Sequence, residues 1–242
     1  MFARLVTRRT VLLTLAVVAG VAVMLNLAEW QWHRHVARRD FNATLRARLV
    51  EPAVPLSDLL SAPVTEAEWR TVVASGQYVD GADLLVVNRS QNGVAGTNAV
   101  SLLRLDDGTF VYVVRGFLPL ALEHRPPPSG RVEVTGRVRR SDLRRRGEAS
   151  DAPEGVLVEV QRLDLGRLAQ QVPGVLAPIS LDLVESSPDD DPRLTAVALP
   201  GTELGPHLSY TVQWIVFSGA AILGWVLVLR REVRRGSPPD SA

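Results

Sequence analysis

Two long apolar stretches decide the fold of this chain: TVLLTLAVVAGVAVMLNLA at residues 10–28 and LSYTVQWIVFSGAAILGWVLVL at residues 208–229. Neither stretch contains a charged residue. With a rise of about 1.5 Å per residue, helices of these lengths extend about 28 Å and about 33 Å, which is enough to cross a bilayer core of about 30 Å. The sequence therefore predicts transmembrane helices over residues 10–29 and 207–229.

Residues 30–206, between these helices, have the pattern of a separate β-rich domain. Alternating apolar residues bounded by glycine-containing turns predict strands at 70–79, 83–88, 98–105, 109–115, 131–138 and 156–160. Short helices are predicted at 40–49, 56–60 and 163–172. Asp107-Gly108 between two apolar runs predicts a hairpin turn. The expected fold is a two-span α-helical membrane protein with a small, mostly antiparallel β barrel or sandwich that carries short helices.

The distribution of arginine predicts the orientation in the membrane. Four arginines follow the second stretch within residues 230–235, whereas Arg193 alone lies within the 20 residues before it. Positive residues favour the cytoplasmic side, so residues 230–242 are expected there. Two spans then place residues 1–9 in the cytoplasm and residues 30–206 outside it, as in a multi-pass protein of the cell membrane. The arginines around the first stretch argue more weakly for the opposite orientation.

Composition excludes several classes of function. The chain has no cysteine, which excludes disulfides, zinc–thiolate sites and iron–sulfur clusters. Its 27 basic residues, all arginine, nearly balance 26 acidic ones, so a nucleic-acid partner is not expected. Gly-x-Ser-x-Gly, His-Glu-x-x-His and phosphate-cradling loops are absent from the sequence. We therefore expect a protein that is not an enzyme.

Several short motifs occur in a fixed order between the two spans. They are LAEWQWHR at 27–34, Trp69-Arg70, Gly76-Gln77-Tyr78, Asn88-Arg89, RGFLP at 115–119 and GPHLSYTVQW at 205–214. In this order, over residues 27–229, they resemble the Surfeit locus protein 1 family. The family-motif residues expected to matter are Trp30, Gln31, Arg34, Arg70, Asn88, Arg89, Arg115, Gly116 and Pro206. Ala28 and Phe117 depart from the family, which usually has glycine and tryptophan at these positions.

The resemblance implies a membrane assembly factor for cytochrome c oxidase that assists haem A delivery to subunit I, or stabilises that subunit. The implied partners are oxidase subunit I, the machinery that supplies haem A, and the lipid bilayer. A cofactor-free docking module for oxidase subunits is the first alternative, and a membrane-tethered hydrolase is the second.

His207 is the candidate haem ligand. Pro206 is suited to the first position of a helix, which places His207 in the first turn of the second span. The positive end of the helix disfavours a protonated imidazole, and a neutral imidazole can bind haem iron. Tyr210, Trp214 and Phe217 share the helix face of His207. Gln213, directly before Trp214, is a further polar candidate for binding haem. The alternative is that His207 only caps the helix or lies at the membrane interface, with Trp30, Trp32, Tyr210 and Trp214 as an interfacial aromatic belt.

The remaining candidate residues are arginines, histidines and small residues of the two spans. Three arginines, Arg70, Arg89 and Arg115, have two interpretations. They bind haem propionates or an acidic partner, or they pair with carboxylates of the chain itself. His33 and His35 are weaker candidates close to His207 if the helices pair, and the favoured interpretation is that they are surface residues. His124 is expected in a loop. Residues 139–155, with five arginines, form either a solvated loop or a patch facing lipid or propionates. The small-residue pairs Ala16 with Gly20 and Ala220 with Gly224 either let the spans approach closely or arise by chance in alanine-rich helices.

Overall fold

The computed structural model describes the backbone of residues 7–235 and the side chains of residues 7–234. Residues 1–6 and 236–242, which belong to the predicted segments 1–9 and 230–242, lie outside the described residues. The described chain divides into two compact units. The helical unit contains residues 7–44 and 201–235, and the β unit contains Leu45–Pro200. Residues 30–44 and 201–206, predicted as parts of the β-rich domain, thus group with the helices.

Five α-helices are present in the described residues. They are α1 (Arg8–Leu49), α2 (Ser57–Leu60), α3 (Val64–Ala67), α4 (Leu165–Leu168), which a 3-10 turn at Ala169–Gln171 extends, and α5 (His207–Arg235). Both α1 and α5 contain a stretch long and apolar enough to cross a membrane. The helix predicted at 40–49 is not separate, because α1 runs without interruption to Leu49. Nothing between residues 29 and 49 breaks a helix, and Pro52 follows its end.

The contact between α1 and α5 follows spacings of three and four residues. Buried and half-buried side chains recur at these spacings along both helices, and we call the surface that they form the seam: Val17, Val21, Met24, Ala28, Gln31, His35, Arg38 and Asn42 on α1 and His207, Thr211, Trp214 and Ser218 on α5. Thr211 Oγ1 donates to Ala28 O at 3.5 Å across this seam. Of the two interpretations of the small-residue pairs, close approach of the spans is not observed at their glycines, since a Cβ built on Gly20 or Gly224 meets nothing within 4 Å. Both glycines are exposed.

The β unit contains one mixed sheet of eight strands. The strands are β1 (Val54–Pro55), β2 (Thr71–Tyr78), β3 (Leu84–Gln91), β4 (Val94–Leu105), β5 (Phe110–Pro119), β6 (Arg131–Arg140), β7 (Glu159–Val160) and β8 (Leu176–Ser187). Their order is β1-β2-β6-β8-β5-β4-β3-β7, and β2 also pairs with β4. The pairings β2-β6-β8-β5-β4-β2 therefore form a closed ring of five strands. Three pairings (β1–β2, β3–β7 and β5–β8) are parallel, so the expectation of antiparallel pairing holds only in part.

Six of the eight strands coincide with predicted strands, whereas β1 and β8 were missed. Strand β8 contains Pro178, which argues against a strand because proline cannot donate to a ladder. The structure places Pro178 where the β5–β8 register shifts, between the pairs Phe110–Leu176 and Tyr112–Ser180. The missing N–H therefore falls at an interruption of the ladder.

Alternation along the strands builds two apolar clusters. Val111 and Val113 of β5 point into the ring, where all five of its strands contribute buried side chains. Tyr112 and Val114 point the opposite way and pack with β3, β7 and α4. The β unit thus has one core inside the ring and a second layer against its outer face.

Candidate functional site

His207 and Gln31 meet across the helix seam. His207 is the first residue of α5, and its Nδ1 lies 2.8 Å from Gln31 Oε1. An amide oxygen only accepts hydrogen bonds, so this contact places the imidazole proton on Nδ1. A neutral ring with its proton on Nδ1 carries its lone pair on Nε2, the nitrogen that faces away from Gln31.

Gly205 lies beside the Cδ2–Nε2 edge of the His207 ring. A Cβ built on Gly205 would lie 3.5 Å from His207 Nε2. Gly205 also has φ +69, a conformation that side chains disfavour. Among the described residues no hydrogen bond to Nε2 of His207 is present. The motif glycine therefore supports the turn before α5, and Nε2 has no hydrogen-bond partner in the described part of the chain.

The haem-binding candidates of α5 differ in how exposed they are. Trp214 is half-buried in the seam, whereas Gln213 is exposed and Tyr210 and Phe217 are each 46% exposed. The Trp214 and Phe217 rings meet edge to face at 6.1 Å. Together these rings form an apolar surface on the same helix as His207.

The aromatic candidates of α1 also lie on the outside of the helix pair. Trp30 and Trp32 are exposed, and the Arg34 guanidinium lies 5.7 Å from the centre of the Trp30 ring. Trp30, Trp32 and Arg34 are therefore close to Gln31 in the sequence, but their side chains are exposed outside the seam.

Two residues of α1 hold the segment that precedes α5. Arg38 donates to the carbonyl oxygens of Glu203 at 3.1 Å and Gly201 at 2.5 Å, and Asn42 donates to Thr202 O at 2.6 Å. Sequence reasoning missed this role. The available signal was the helical periodicity, since Arg38 and Asn42 follow Gln31 at seam spacing. These contacts fix the backbone just before His207.

The two histidines after the first apolar stretch have different environments. His33 is exposed and its Nε2 lies 3.5 Å from Glu29, as expected of a surface residue. His35 is half-buried in the seam, and its Nδ1 is buried without a hydrogen-bond partner among the described residues. The prediction of a surface position is therefore wrong for His35, because α1 stays helical beyond the apolar stretch.

A β-bulge turns Arg115 into the interior of the β unit. Ala99 pairs with Gly116 and Val100 with Val114, so Arg115 is the extra residue of strand β5. Its side chain is completely buried. Arg115 Nε donates to Asp190 Oδ2 at 2.8 Å, and Nη2 donates to Asp190 Oδ1. Nη1 donates to Arg125 O at 2.9 Å, so the guanidinium is occupied by acceptors of the chain itself.

Titratable groups surround this ion pair. His124 Nε2 lies 3.4 Å from Arg115 Nη1, and burial lowers the pKa of His124. Burial also raises the pKa of Tyr78, whose hydroxyl has no partner among the described residues. Ser101 Oγ donates to Asp83 at 2.5 Å. No serine hydroxyl in the described part of the chain bonds to a histidine, so this cluster gives the hydrolase alternative no support.

Gly116 lets the acidic segment after β8 lie against strand β5. Phe117 N donates to Thr195 O at 2.7 Å, and Thr195 N donates to Phe117 O at 3.0 Å. A Cβ on Gly116 would lie 2.7 Å from Thr195 O, too close for any side chain. The RGFLP motif therefore anchors residues 190–195 through both Arg115 and Gly116.

The other motif residues of the β unit also contact the chain itself. Arg70 Nε lies 2.6 Å from Glu51 Oε2. Asn88 donates to Gln161 Oε1 at 2.9 Å, and Arg89 donates to Gln161 O at 3.1 Å. Pairing with a carboxylate of the chain is thus present for Arg70 and Arg115, whereas Arg89 contacts the backbone carbonyl oxygen of Gln161.

The arginine-rich segment 139–155 begins at a cleft and continues as an exposed loop. The Arg139 guanidinium lies 3.7 Å from the centre of the Trp69 ring and 3.9 Å from Asp182. Burial raises the pKa of Asp182 to about 6, against an ordinary value of 3.8. Residues 143–150 are all exposed, and Arg144 bonds to Ser150 within the loop. Three or more potential metal ligands do not cluster anywhere in residues 7–234.

Comparison with known proteins decides the family. Residues 18–219 match the model of the SURF1 family, a span that includes all the motifs described above. The chain belongs to the SURF1 family. The resemblance inferred from the motifs is thereby confirmed, and SURF1 membership is consistent with a role in cytochrome c oxidase assembly.

Mycobacterial members of the SURF1 family align over most of the chain. Uncharacterized SURF1-like proteins from Mycobacterium bovis and from two strains of Mycobacterium tuberculosis are each 32% identical over 229 residues. Each alignment covers 88% of this chain and 82% of the relative. The similarity to these SURF1-like proteins therefore covers most of the chain.

Proposed function

We propose that this SURF1-family protein is a membrane assembly factor for cytochrome c oxidase that holds haem A for delivery to subunit I. The observation that carries the proposal is the hydrogen bonding of the two ring nitrogens of His207. Its Nδ1 lies 2.8 Å from Gln31 Oε1, while Nε2 has no hydrogen-bond partner among the described residues. A neutral imidazole with one free nitrogen is the donor that haem iron takes from histidine.

The residues around His207 fit a haem group. Haem would supply an iron centre that an imidazole nitrogen can ligate. His207 Nε2 is the proposed ligand, and Tyr210 and Trp214 provide aromatic surface beside it. Gln213, exposed one residue before Trp214, offers a polar group at the same edge. An exposed site with one protein ligand suits a cofactor that must leave again.

The proposed orientation places both chain ends in the cytoplasm and the β unit outside it, in the cell membrane. The support is the arginine cluster at residues 230–235 against Arg193 alone before the second span. Because the chain lacks cysteine, single cysteines introduced at exposed Leu143 and at Arg231 report accessibility without background. In intact cells an impermeant maleimide should label position 143 only. Labelling of position 231 alone contradicts this orientation.

A cofactor-free docking module is the second candidate. The internal contacts of Arg70, Arg89 and Arg115 favour this candidate. In particular, the Arg115 guanidinium nitrogens all contact acceptors of the chain and leave no free donor for a haem propionate. In that case the β unit alone binds oxidase subunits. Haem content of the purified full-length protein separates the two candidates.

Deletion of the gene tests the proposed function in the cell. We expect cytochrome c oxidase activity to fall while haem A is still present in the membranes, because the protein holds haem A and does not make it. The measurement is oxidase activity together with extracted haem A in the deletion strain and in a complemented strain. Absence of haem A from the deletion membranes would point to a biosynthetic enzyme and contradict the proposal.

A further inference from the structure

We propose that Gln31 is the positioning residue for His207, and that its side-chain oxygen presents His207 Nε2 to haem iron. This inference rests on the proposed function, since it assigns a role within the same haem site. Gln31 belongs to α1 and His207 to α5, 176 residues apart in the sequence. The contact joins the two motifs that border the two spans.

The geometry around this hydrogen bond leaves little freedom to either helix. On one side, Thr211 Oγ1 donates to His207 O at 3.0 Å and to Ala28 O at 3.5 Å. On the other side, Arg38 and Asn42 hold the carbonyl oxygens of residues 201–203. Gln31 lies between these contacts, so its amide meets a ring whose backbone is already fixed. The remaining freedom of His207 is the rotation and the tautomer of its imidazole.

Gln31 restricts both the rotation and the tautomer of the His207 imidazole. A neutral imidazole carries its proton on either nitrogen, and the nitrogen that binds metal is set by the hydrogen bond of the other. Acceptance by Gln31 Oε1 selects the Nδ1–H form and holds the ring plane. Groups that orient a metal-binding histidine in this way typically change metal affinity by about 10- to 100-fold when they are removed.

The first test uses the haem-free, full-length protein in detergent. Nitrogen-15 NMR of the histidine rings reports the tautomer of each neutral imidazole, and His207→Ala assigns the signal among the four histidines. We expect the Nδ1–H form for His207 in the wild type and its loss in Gln31→Leu, which keeps side-chain bulk without the acceptor. Gln170→Leu, at an exposed glutamine of the β unit, is the matched control and should leave the signal unchanged. An unchanged His207 tautomer in Gln31→Leu overturns the inference.

The second test uses added haem. Gln31→Leu should weaken haem binding by about 10- to 100-fold relative to wild type and Gln170→Leu. Gln31→Glu retains an acceptor and should retain haem, with a lower reduction potential because a carboxylate makes the imidazole a stronger donor. Wild-type affinity and potential in both Gln31 variants overturn the role of Gln31 while the proposed function stands. A wild-type protein that binds no haem contradicts both the inference and the proposed function.

Discussion

Arg115 and Asp190, 75 residues apart in the sequence, form a bidentate ion pair inside the β unit. The Arg115 side chain is fully buried and that of Asp190 is 10% exposed. Removal of one partner from such a pair leaves an uncompensated charge in the interior. We therefore expect Arg115→Met or Asp190→Asn to lower the free energy of unfolding of the β unit by about 3–5 kcal/mol.

Hydrogen exchange of the β5 amides in detergent-solubilised protein measures this loss. The exposed pair of Arg131 and Asp106 is the control, and Arg131→Met should cost less than about 1 kcal/mol. The double variant Arg115→Met, Asp190→Leu should lose less than the sum of the single variants, because no lone charge remains. Strict additivity would show that the two residues do not act as a pair.

Asp182 makes the stability of the β unit depend on pH. Burial raises its pKa to about 6 from an ordinary value of 3.8. The folded state therefore holds this proton more tightly than the unfolded state, and ionisation disfavours folding. The penalty is absent below about pH 4, grows as pH rises and is complete above about pH 6, where the pKa difference corresponds to about 3 kcal/mol.

Asp182→Asn should remove this pH dependence, because the amide does not ionise. The difference in unfolding free energy between Asp182→Asn and wild type should grow between pH 4 and pH 6 in favour of the variant. The comparison with wild type cancels the other carboxyl groups, including Asp191, whose pKa the Arg193 side chain lowers to about 2. A constant difference over this range would contradict the raised pKa.

Gly76 permits the closure of the strand ring. A Cβ at this position of β2 would lie 2.2 Å from Arg104 O, so β2 and β4 could not approach to their observed pairing. We expect Gly76→Ala to cost more than about 2 kcal/mol of unfolding free energy. Gly166, in α4, is the control, because its nearest neighbour lies 3.4 Å away and alanine favours helices. Equal thermal unfolding of the two variants would show that β2 tolerates the side chain.

The sequence predicted the features that depend on local pattern. The apolar stretches mark α1 and α5, alternation marks six strands, and Asp107-Gly108 marks the β4–β5 turn, where Gly108 has φ +86. The order of the motifs was sufficient to identify the family. Each of these signals is carried by residues close together in the chain.

The missed features depend on contacts that no local pattern reveals. Closure of the ring needs β2 to meet β4 across the domain, and β8 was hidden by Pro178, which lies at an irregularity of the ladder. The sequence singled out Gln31, His207 and Arg115 without their partners. Those partners lie on distant segments and meet only when α1 packs against α5 or when residues 188–195 return to β5.

The most direct test of the account is the amount of haem bound per protein after purification in mild detergent from a strain that makes haem A. We expect haem to co-purify with the wild type and with His33→Ala, whose side chain is exposed beside Glu29. His207→Ala should lose most of the haem while the strands of the β unit keep their protection from hydrogen exchange. Tyr210→Ala and Trp214→Ala should each lose less, since each removes one contact. Haem bound to His207→Ala at the wild-type ratio would contradict the assignment of His207 as the ligand, and with it the central claim.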